Sequence, residues 1–311
     1  MEFFHKATSF PFMSTRKVWY GLSIALMVVS FASFFTKGLN LAIDFTGGVT
    51  VEVAFPGTAN IDAIARELTQ AGFREPSVQN FGSSRSVAIR LPPEAGQDGP
   101  AIRARVEAVV KKIDAQAEIV NFELVGPAVG DELKQGAIVA LSCTMVLIFI
   151  YIVFRFHTWK LSAGAILAVL HDPILVLGVF SVTQTSFDLT VVAAMLAVIG
   201  YSLNDTVVVF DRIRERFEGS RRLEPVVVLD QSINQTLSRT IMTKVVTLIV
   251  VVALYVLGGA GLKGFSEALI IGIVAGTYSS IYISSAIALD FGLKSQDLLP
   301  TASKKPVDDL P

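Results

Sequence analysis

The sequence predicts an α-helical integral membrane protein with six transmembrane helices and a small α+β domain between the first and the second. Three observations carry that reading. Six apolar stretches each reach the roughly 20 residues that a helix needs to cross a bilayer. A polar segment of roughly ninety residues, Gly38 to about Asp131, separates the first stretch from the second. Hydrophobic residues make up 52% of the chain and charged ones only 17%, a composition outside the ordinary soluble range. A formal charge of -1 gives no basis for nucleic-acid binding. The single cysteine, Cys143, excludes a disulfide within the chain and, lying in an apolar run, is expected to pack as a small hydrophobe.

Residues 1–17 precede the first span, which runs from Val18 to Phe35 within a helix assigned to 18–36. Arg16, Lys17 and Lys37 flank it. Its apolar run exceeds a signal-peptide core and no small-residue cleavage site follows, so it reads as an uncleaved anchor. In the segment 37–131, Val49–Phe55 reads as a strand, and Ile61, Ile64, Ala65 and Leu68 mark one helix face. Val78–Phe81 and Ser86–Leu91 read as strands joined across Gly82, Ser83 and Ser84. A loop, Pro92–Pro100, leads to a helix carrying Ile102, Val106, Val109, Val110 and Ile113, and Glu118–Val125 closes the segment as a strand. The order βαββαβ is the ferredoxin-like pattern, which names an architecture and no activity.

The other five spans are expected at Gly136–Phe154, Leu161–Phe180, Leu189–Phe210, Leu237–Leu257 and Phe265–Leu289, forming a bundle over 132–292. A basic connector, about 211–236, separates the fourth span from the fifth, and Leu223–Asn234 within it is expected to lie along the headgroups as an amphipathic helix. Residues 293–311 form a tail. Arg155, Lys160, Arg212, Arg214, Arg216, Arg221, Arg222, Lys294, Lys304 and Lys305 fall on one side, against only Lys263 in the two short opposite loops. Positive charge collects in cytoplasmic loops, so both termini are expected in the cytoplasm and the 37–131 segment outside.

Ionisable groups at membrane depth are costly and are usually retained for a partner or a wet path. Span three carries His171-Asp172-Pro173, with Asp172 roughly 16 Å from the cytoplasmic start. Pro173 frees a backbone carbonyl one turn earlier, which a neighbour must satisfy. Span four carries Asn204-Asp205, with Asp205 roughly 8 Å from its cytoplasmic end, and span five begins near Arg239. The antiparallel run of these helices makes an Asp205–Arg239 pair available, either as a structural lock or as a proton-linked site. Asn204, Ser202, Thr206, Thr240 and Thr243 add polar groups on both helices. Lys244 reads as a snorkelling lysine, Glu267 and Asp290 as interfacial, and Gly272 with Gly276 as a close-packing face. Asn234-Gln235-Thr236 matches a glycosylation acceptor but lies on the predicted cytoplasmic side and is set aside. An aspartyl-protease dyad of Asp172 and Asp205 is disfavoured, because Gly200–Asp205 is not a GxGD setting and the two depths differ by about 8 Å. No metal or cofactor motif is present, and the chain is not read as an enzyme.

Several segments resemble the SecF family, the smaller membrane subunits of the SecDF accessory complex of the bacterial Sec translocon. They are Gly38-Leu39-Asn40-Leu41-Ala42-Ile43-Asp44-Phe45-Thr46-Gly47-Gly48 after span one and Val125-Gly126-Pro127-Ala128-Val129-Gly130-Asp131-Glu132-Leu133 before span two. Ile199–Thr206 through Val209–Arg214, Ser232–Thr240 and Gly276–Tyr282 complete the match in order along the chain. The resemblance implies an inner-membrane subunit with a periplasmic domain, half of a transporter of the resistance-nodulation-division type. With SecD it would use the proton motive force to promote protein export, alongside SecYEG, YajC and the translocating preprotein. Asp205 and Arg239 would belong to the proton-responsive cluster, with another key carboxylate supplied by SecD. Pro173 and Lys244 depart from the family's pattern, where an aliphatic and a small polar residue are expected. A proton-driven lipid or drug exporter of the same plan is the alternative.

Overall fold

The computed structural model describes residues 8–93, 98–156, 158–219 and 223–298. Arg221, Arg222, Lys304 and Lys305, and most of the expected tail, lie outside them. Helix α1 (Arg16–Lys37) leads through β1 (Asn40–Leu41) and a single turn, α2 (Ile43–Thr46), into the soluble segment. There follow β2 (Gly48–Ala54), α3 (Ile61–Gln70), β3 (Ser77–Phe81), β4 (Ser83–Leu91), α4 (Gly99–Ile113) and β5 (Glu118–Val125). The long helices α5 (Pro127–Phe156) and α6 (Trp159–Thr183), a short strand β6 (Ser186–Phe187), α7 (Leu189–Gly219), α8 (Pro225–Leu257) and α9 (Lys263–Tyr278) complete the chain together with α10 (Ser284–Asp290). A π turn, Ser279–Ile283, joins α9 to α10, so these two form one span. Among the described residues, six helices are thus long and apolar enough to cross a membrane.

In the soluble segment alternation decides which face is buried. Val49, Val51 and Val53 of β2 and Val87, Ile89 and Leu91 of β4 point to one side and meet Ile64, Leu68, Ile102, Val106 and Val110 of the two helices. Each fully buried aliphatic chain contributes about 1.5–3 kcal/mol. The sheet is antiparallel throughout, in the order β3-β4-β2-β5. Asn60 begins α3 by accepting from the Ala63 N–H at 3.0 Å, the side-chain cap expected of asparagine. The opposite, polar face of the sheet looks onto the domain end of the bundle across a cleft lined by Glu52, Arg90, Asp188, Lys263 and Glu267.

Domain and bundle are joined through the segment 40–48. β1 pairs in parallel with β6, and Asp44 Oδ2 accepts from the Leu189 N–H at 2.9 Å, capping α7 from a distant part of the chain. Gly48 has φ +119°, and a Cβ there would stand 2.4 Å from the Leu91 carbonyl oxygen, so only glycine fits. Arg90 donates to Asn40 Oδ1 at 3.3 Å and to Ser186 Oγ, tying the sheet to the same junction.

Within the bundle α6, α7 and α9 are central, each burying more than half of its most apolar stretch, whereas α1, α5 and α8 bury 17% or less. The outer helices therefore present their apolar sides to lipid or to another protein. Cys143 lies on this exposed side of α5, contrary to the expectation of a packed thiol: α5 has little inward face for it to occupy. Small residues let the central helices touch. A Cβ on Gly164 of α6 would lie 2.2 Å from the Ser284 carbonyl oxygen of α10, and one on Gly272 would meet Val198 of α7.

The expected connector differs most from the structure. Asp211–Gly219 continues α7 and Pro225–Thr236 is the start of α8, so Leu223–Asn234 is not a separate headgroup-lying helix. Pro225 at the first helical positions begins α8, and Val228, Leu229 and Ile233 bury against Phe12 and Met13. Asn234, set aside as a glycosylation site, holds the N-terminal segment instead, accepting from the Phe10 N–H and donating to the Phe10 carbonyl, both at 2.9 Å. Arg212 and Arg214 of α7 pair with acidic neighbours, Arg212 with Glu215 and Arg214 with Glu218.

Candidate functional site

Among the described residues, two buried carboxylates, Asp172 and Asp205, stand inside the bundle, and α7 contributes to both settings. Asp205 of α7 is 6% exposed and its partner is Lys244 of α8, 4% exposed, with Nζ 2.8 Å from Oδ2. Neither atom makes a hydrogen bond of good direction, so the contact is an ion pair held by charge rather than by alignment. The Tyr201 ring lies under the ammonium, with Nζ 4.1 Å from the ring centroid, a cation–π contact. The Tyr201 hydroxyl in turn bonds the Thr243 carbonyl at 2.9 Å and Thr247 Oγ1 at 2.7 Å.

The expected Asp205–Arg239 pair does not form. Arg239 is exposed on the outside of α8 and makes no ion pair among the described residues. Depth alone suggested it, but azimuth decides contact: Arg239 and Lys244 are five residues apart, about 140° around a helix. Lys244 sits on the buried seam of α8 with Leu229, Ile233, Leu237, Thr240 and Val251, whose spacing of three and four residues is visible in the sequence. That seam is the signal by which Lys244 could have been found, and it is not a snorkelling lysine. Asn204 and Thr243 are also exposed, so the polar residues divide into a buried pair and an outward-facing set of Asn204, Arg239 and Thr243.

Asp172 of α6 is 0% exposed and adjoins His171 at 3%. Ser202 of α7 and Ser279 of the π turn both donate to Asp172 Oδ2, at 2.5 and 3.0 Å. His171 Nδ1 lies 3.0 Å from Asp172 Oδ1, and Nε2 lies 3.1 Å from Ser23 Oγ of α1. Ser23 also bonds the Tyr278 hydroxyl of α9. Gly276 allows this convergence, since a Cβ there would crowd Ser202 Oγ and Asp172 Oδ2 at 3.1 and 3.3 Å. The helix runs unbroken through Pro173. His171, Ser23, Ser279 and Tyr278 were not singled out as site residues; a histidine beside an aspartate within an apolar run was the available signal. Asp172 and Asp205 share no hydrogen-bond partner and a lysine faces the latter, so no dyad sharing one proton is formed. Among the described residues no group of three or more metal-ligating side chains converges.

Among the described residues, six helices of membrane-spanning length, a domain at one end and charged groups buried inside the bundle define a multi-pass membrane protein. The family described as protein export membrane protein SecD/SecF, C-terminal, matches residues 105–294, and the SecD/SecF GG motif matches residues 32–55. The chain belongs to the SecD/SecF family. It is 46% identical to the protein translocase subunit SecF of Haemophilus influenzae, over 96% of this chain and 91% of that protein. The SecF subunit of Pseudomonas aeruginosa is 43% identical over 98% of this chain and 99% of its own length. The crystal structure of SecDF, a translocon-associated membrane protein from Thermus thermophilus, superposes with a TM-score of 0.84 at 36% identity, covering 91% of this chain. A crystal structure of SecDF in a super-membrane-facing form matches with a TM-score of 0.69 at 34% identity over 93% of this chain. The chain spans 39% of each of those two SecDF chains.

Proposed function

We propose that the chain acts as the SecF-type half of a SecD–SecF assembly that uses the proton motive force to promote protein translocation across the bacterial inner membrane. The observation that carries the proton linkage is the buried Asp205–Lys244 pair. A buried ion pair is maintained at a desolvation cost that an apolar pair would avoid, which favours a role beyond packing. Protonating Asp205 would leave Lys244 without its counter-charge, and the ammonium would turn toward Tyr201 or water, shifting α8 against α7. Arg239, Asn204 and Thr243 lie on the outward face of the same two helices, where a charged side chain at membrane depth calls for a protein partner. We assign that face to the SecD half, which would complete the relay. Asp172 belongs to the coupling cluster through Ser202, one turn from Asp205 on α7.

The 37–131 segment is the periplasmic domain in this reading, and its βαββαβ order with strand order β3-β4-β2-β5 supports a ferredoxin-like architecture. Both termini, 1–17 and 293–311, lie in the cytoplasm, the spans occupy 18–36 and 132–292, and SecYEG, YajC and the preprotein are the expected company. Full-length relatives named as translocase subunits favour this over a lipid or drug exporter of the same plan.

Pulse-chase export of a secreted precursor tests the proposal in cells depleted of the protein and complemented with wild type or Asp205→Asn at equal membrane levels. Slowed export on depletion, not rescued by an Asp205→Asn protein that still assembles with SecD, is the expected result. Export indifferent to depletion would remove the translocation role, and full rescue by the variant would remove the proton-linked site.

A further inference from the structure

A bulge in the sheet gives the cleft between the soluble segment and the bundle an apolar mouth. Strands β2 and β5 shift register between Glu52 and Val53: Glu52 faces Asn121 and Val53 faces Ile119, so Val120 is left without a partner. Such a bulge re-aims the side chain it carries. Val120 is 68% exposed, the most of any large apolar residue among the described residues of the soluble segment. It stands at one end of the cleft with Phe81, Tyr255 and Val256. That end continues onto the outer side of α8, where Ile249, Val250, Val252, Val256 and Leu257 are all exposed on a helix apolar enough to span a bilayer. The mouth therefore opens beside a surface suited to lipid chains.

Deeper in, the lining is charged. Glu52, Phe81, Gly82, Tyr255, Gly261 and Lys263 are common to both ends, and the inner cavity has a volume of about 650 Å³, within the range of small-ligand sites. Part of its charge is already committed. Asp44 caps α7, Asp188 accepts from the Thr190 hydroxyl and the Val191 N–H, and Arg90 is tied to Asn40 and Ser186. One cation, Lys263, and three carboxylates, Glu52, Glu123 and Glu267, remain. Lys263 makes no ion pair among the described residues, and its Nζ stands 5.8 Å from the Tyr255 ring centroid. Glu52 and Glu123 accept from the Asn121 amide at 3.4 and 3.0 Å, and Glu267 from the Thr185 hydroxyl at 3.5 Å. These donors are neutral, so the carboxylate charge is left without a counter-ion. A purely anionic guest would meet three like charges, and a purely cationic one would leave Lys263 unmatched.

We propose that this cleft binds the headgroup of an aminophospholipid from the leaflet on the domain side. Its phosphate meets Lys263, its ammonium lies among Glu52, Glu123 and Glu267, and its acyl chains leave past Val120 along α8. A guest carrying both charges answers both parts of the lining, and an amphiphile answers the change from apolar mouth to charged interior. A primary ammonium brings three N–H donors to the carboxylate oxygens, whereas a choline group brings none. The cleft also borders Ala42, Asp44 and Ser186, beside the β1–β6 pairing, so the bound lipid braces the domain where the chain joins it to the bundle. The site is independent of the Asp205–Lys244 pair and of any proton linkage.

The test uses the full chain co-purified with SecD, read by native mass spectrometry during titration with phosphatidylethanolamine, phosphatidylcholine and phosphatidylglycerol of identical acyl chains. One phosphatidylethanolamine is expected to bind about tenfold more tightly than either of the others, the equivalent of one charge-assisted hydrogen bond. Lys263→Gln removes the phosphate partner and is expected to weaken that binding by a similar factor. Val120→Trp closes the mouth and is expected to abolish it. Val120 is exposed and Lys263 has no ion pair among the described residues, so both variants are expected to unfold in detergent at the wild-type temperature. Equal binding of the three lipids, or binding unchanged in either variant, overturns the site and leaves lipid held by the general apolar surface. A preference for phosphatidylglycerol overturns the assignment of the carboxylates to an ammonium. Water-soluble glycerophosphoethanolamine binding as tightly as the lipid overturns the part given to the mouth. A cleft filled by SecD itself gives no Lys263-dependent lipid and overturns the proposal as well.

Discussion

Asp172 and Asp205 are both buried carboxylates of the same bundle, yet they are held in opposite ways. Asp172 receives Ser202, Ser279 and His171 at hydrogen-bond distance, from α7, the π turn and its own helix, and through His171 it reaches α1. Its state is tied to the packing of four spans. Asp205 faces one lysine across a 2.8 Å gap, with poor direction and, among the described residues, no second donor to Oδ2. A satisfied network rigidifies, whereas an incompletely satisfied ion pair is readily re-partnered. The difference teaches that the bundle contains one carboxylate that fastens helices and one that is free to exchange its partner, both served by a single face of α7.

Substitutions can break or sharpen that contrast. The largest effect is expected from Asp172→Leu, which orphans His171, Ser202 and Ser279 at about 1–3 kcal/mol for each buried donor; thermal unfolding in detergent should show a collapse of folded protein, and a small change would deny the fastening role. Lys244→Met leaves Asp205 as an unpaired buried charge and should cost about 3–5 kcal/mol by the same measurement. Adding Asp205→Asn to it should restore most of that loss, since removing both charges leaves nothing buried and uncompensated. Arg239→Ala should leave the unfolding temperature nearly unchanged, within about 0.5 kcal/mol, as for other exposed positions. Its effect is expected in the yield of the complex co-purified with SecD, and an undiminished yield would place the partner elsewhere.

The smallest effect lies outside the membrane. Burial raises the Glu52 carboxyl above its ordinary range, an effect partly offset by the Asn121 amide. The folded chain then holds that proton more tightly than the unfolded one, so its stabilising contribution is present below about pH 4.3 and is lost as pH rises through the raised folded value. Glu52→Gln should flatten the pH dependence of unfolding above that point, seen in melts of the full chain from mildly acidic to neutral pH.

The spans were legible because bilayer thickness imposes a length that composition alone reveals. Their ends were not: α7 continues through Asp211–Gly219 and α8 begins at Pro225, because a helix extends past the apolar stretch as long as its residues favour it and Phe12 and Met13 cover its inner side. In the soluble segment, alternation and helical spacing located Val49–Phe55, Ile61–Leu68 and Ile102–Ile113, close to the observed elements, but not the two-residue β1–β6 pairing, too short to carry a pattern. The site was legible as residue types and depth. The depth of Asp205 and Asp172 agrees with their burial in the bundle, whereas depth alone paired Asp205 with Arg239 and rotation about α8 selects Lys244 instead. The serine and tyrosine ligands of the His171–Asp172 pair come from three other spans, and their convergence depends on helix crossings that local sequence does not encode.

The most direct measurement of the central claim, that the Asp205–Lys244 pair answers to the proton gradient, is export by the double variant Asp205→Asn, Lys244→Met in vesicles with an imposed gradient. The account predicts a stable protein that assembles with SecD while export no longer accelerates when the gradient is applied. Acceleration equal to wild type at matched protein levels would contradict it and leave the pair as packing alone.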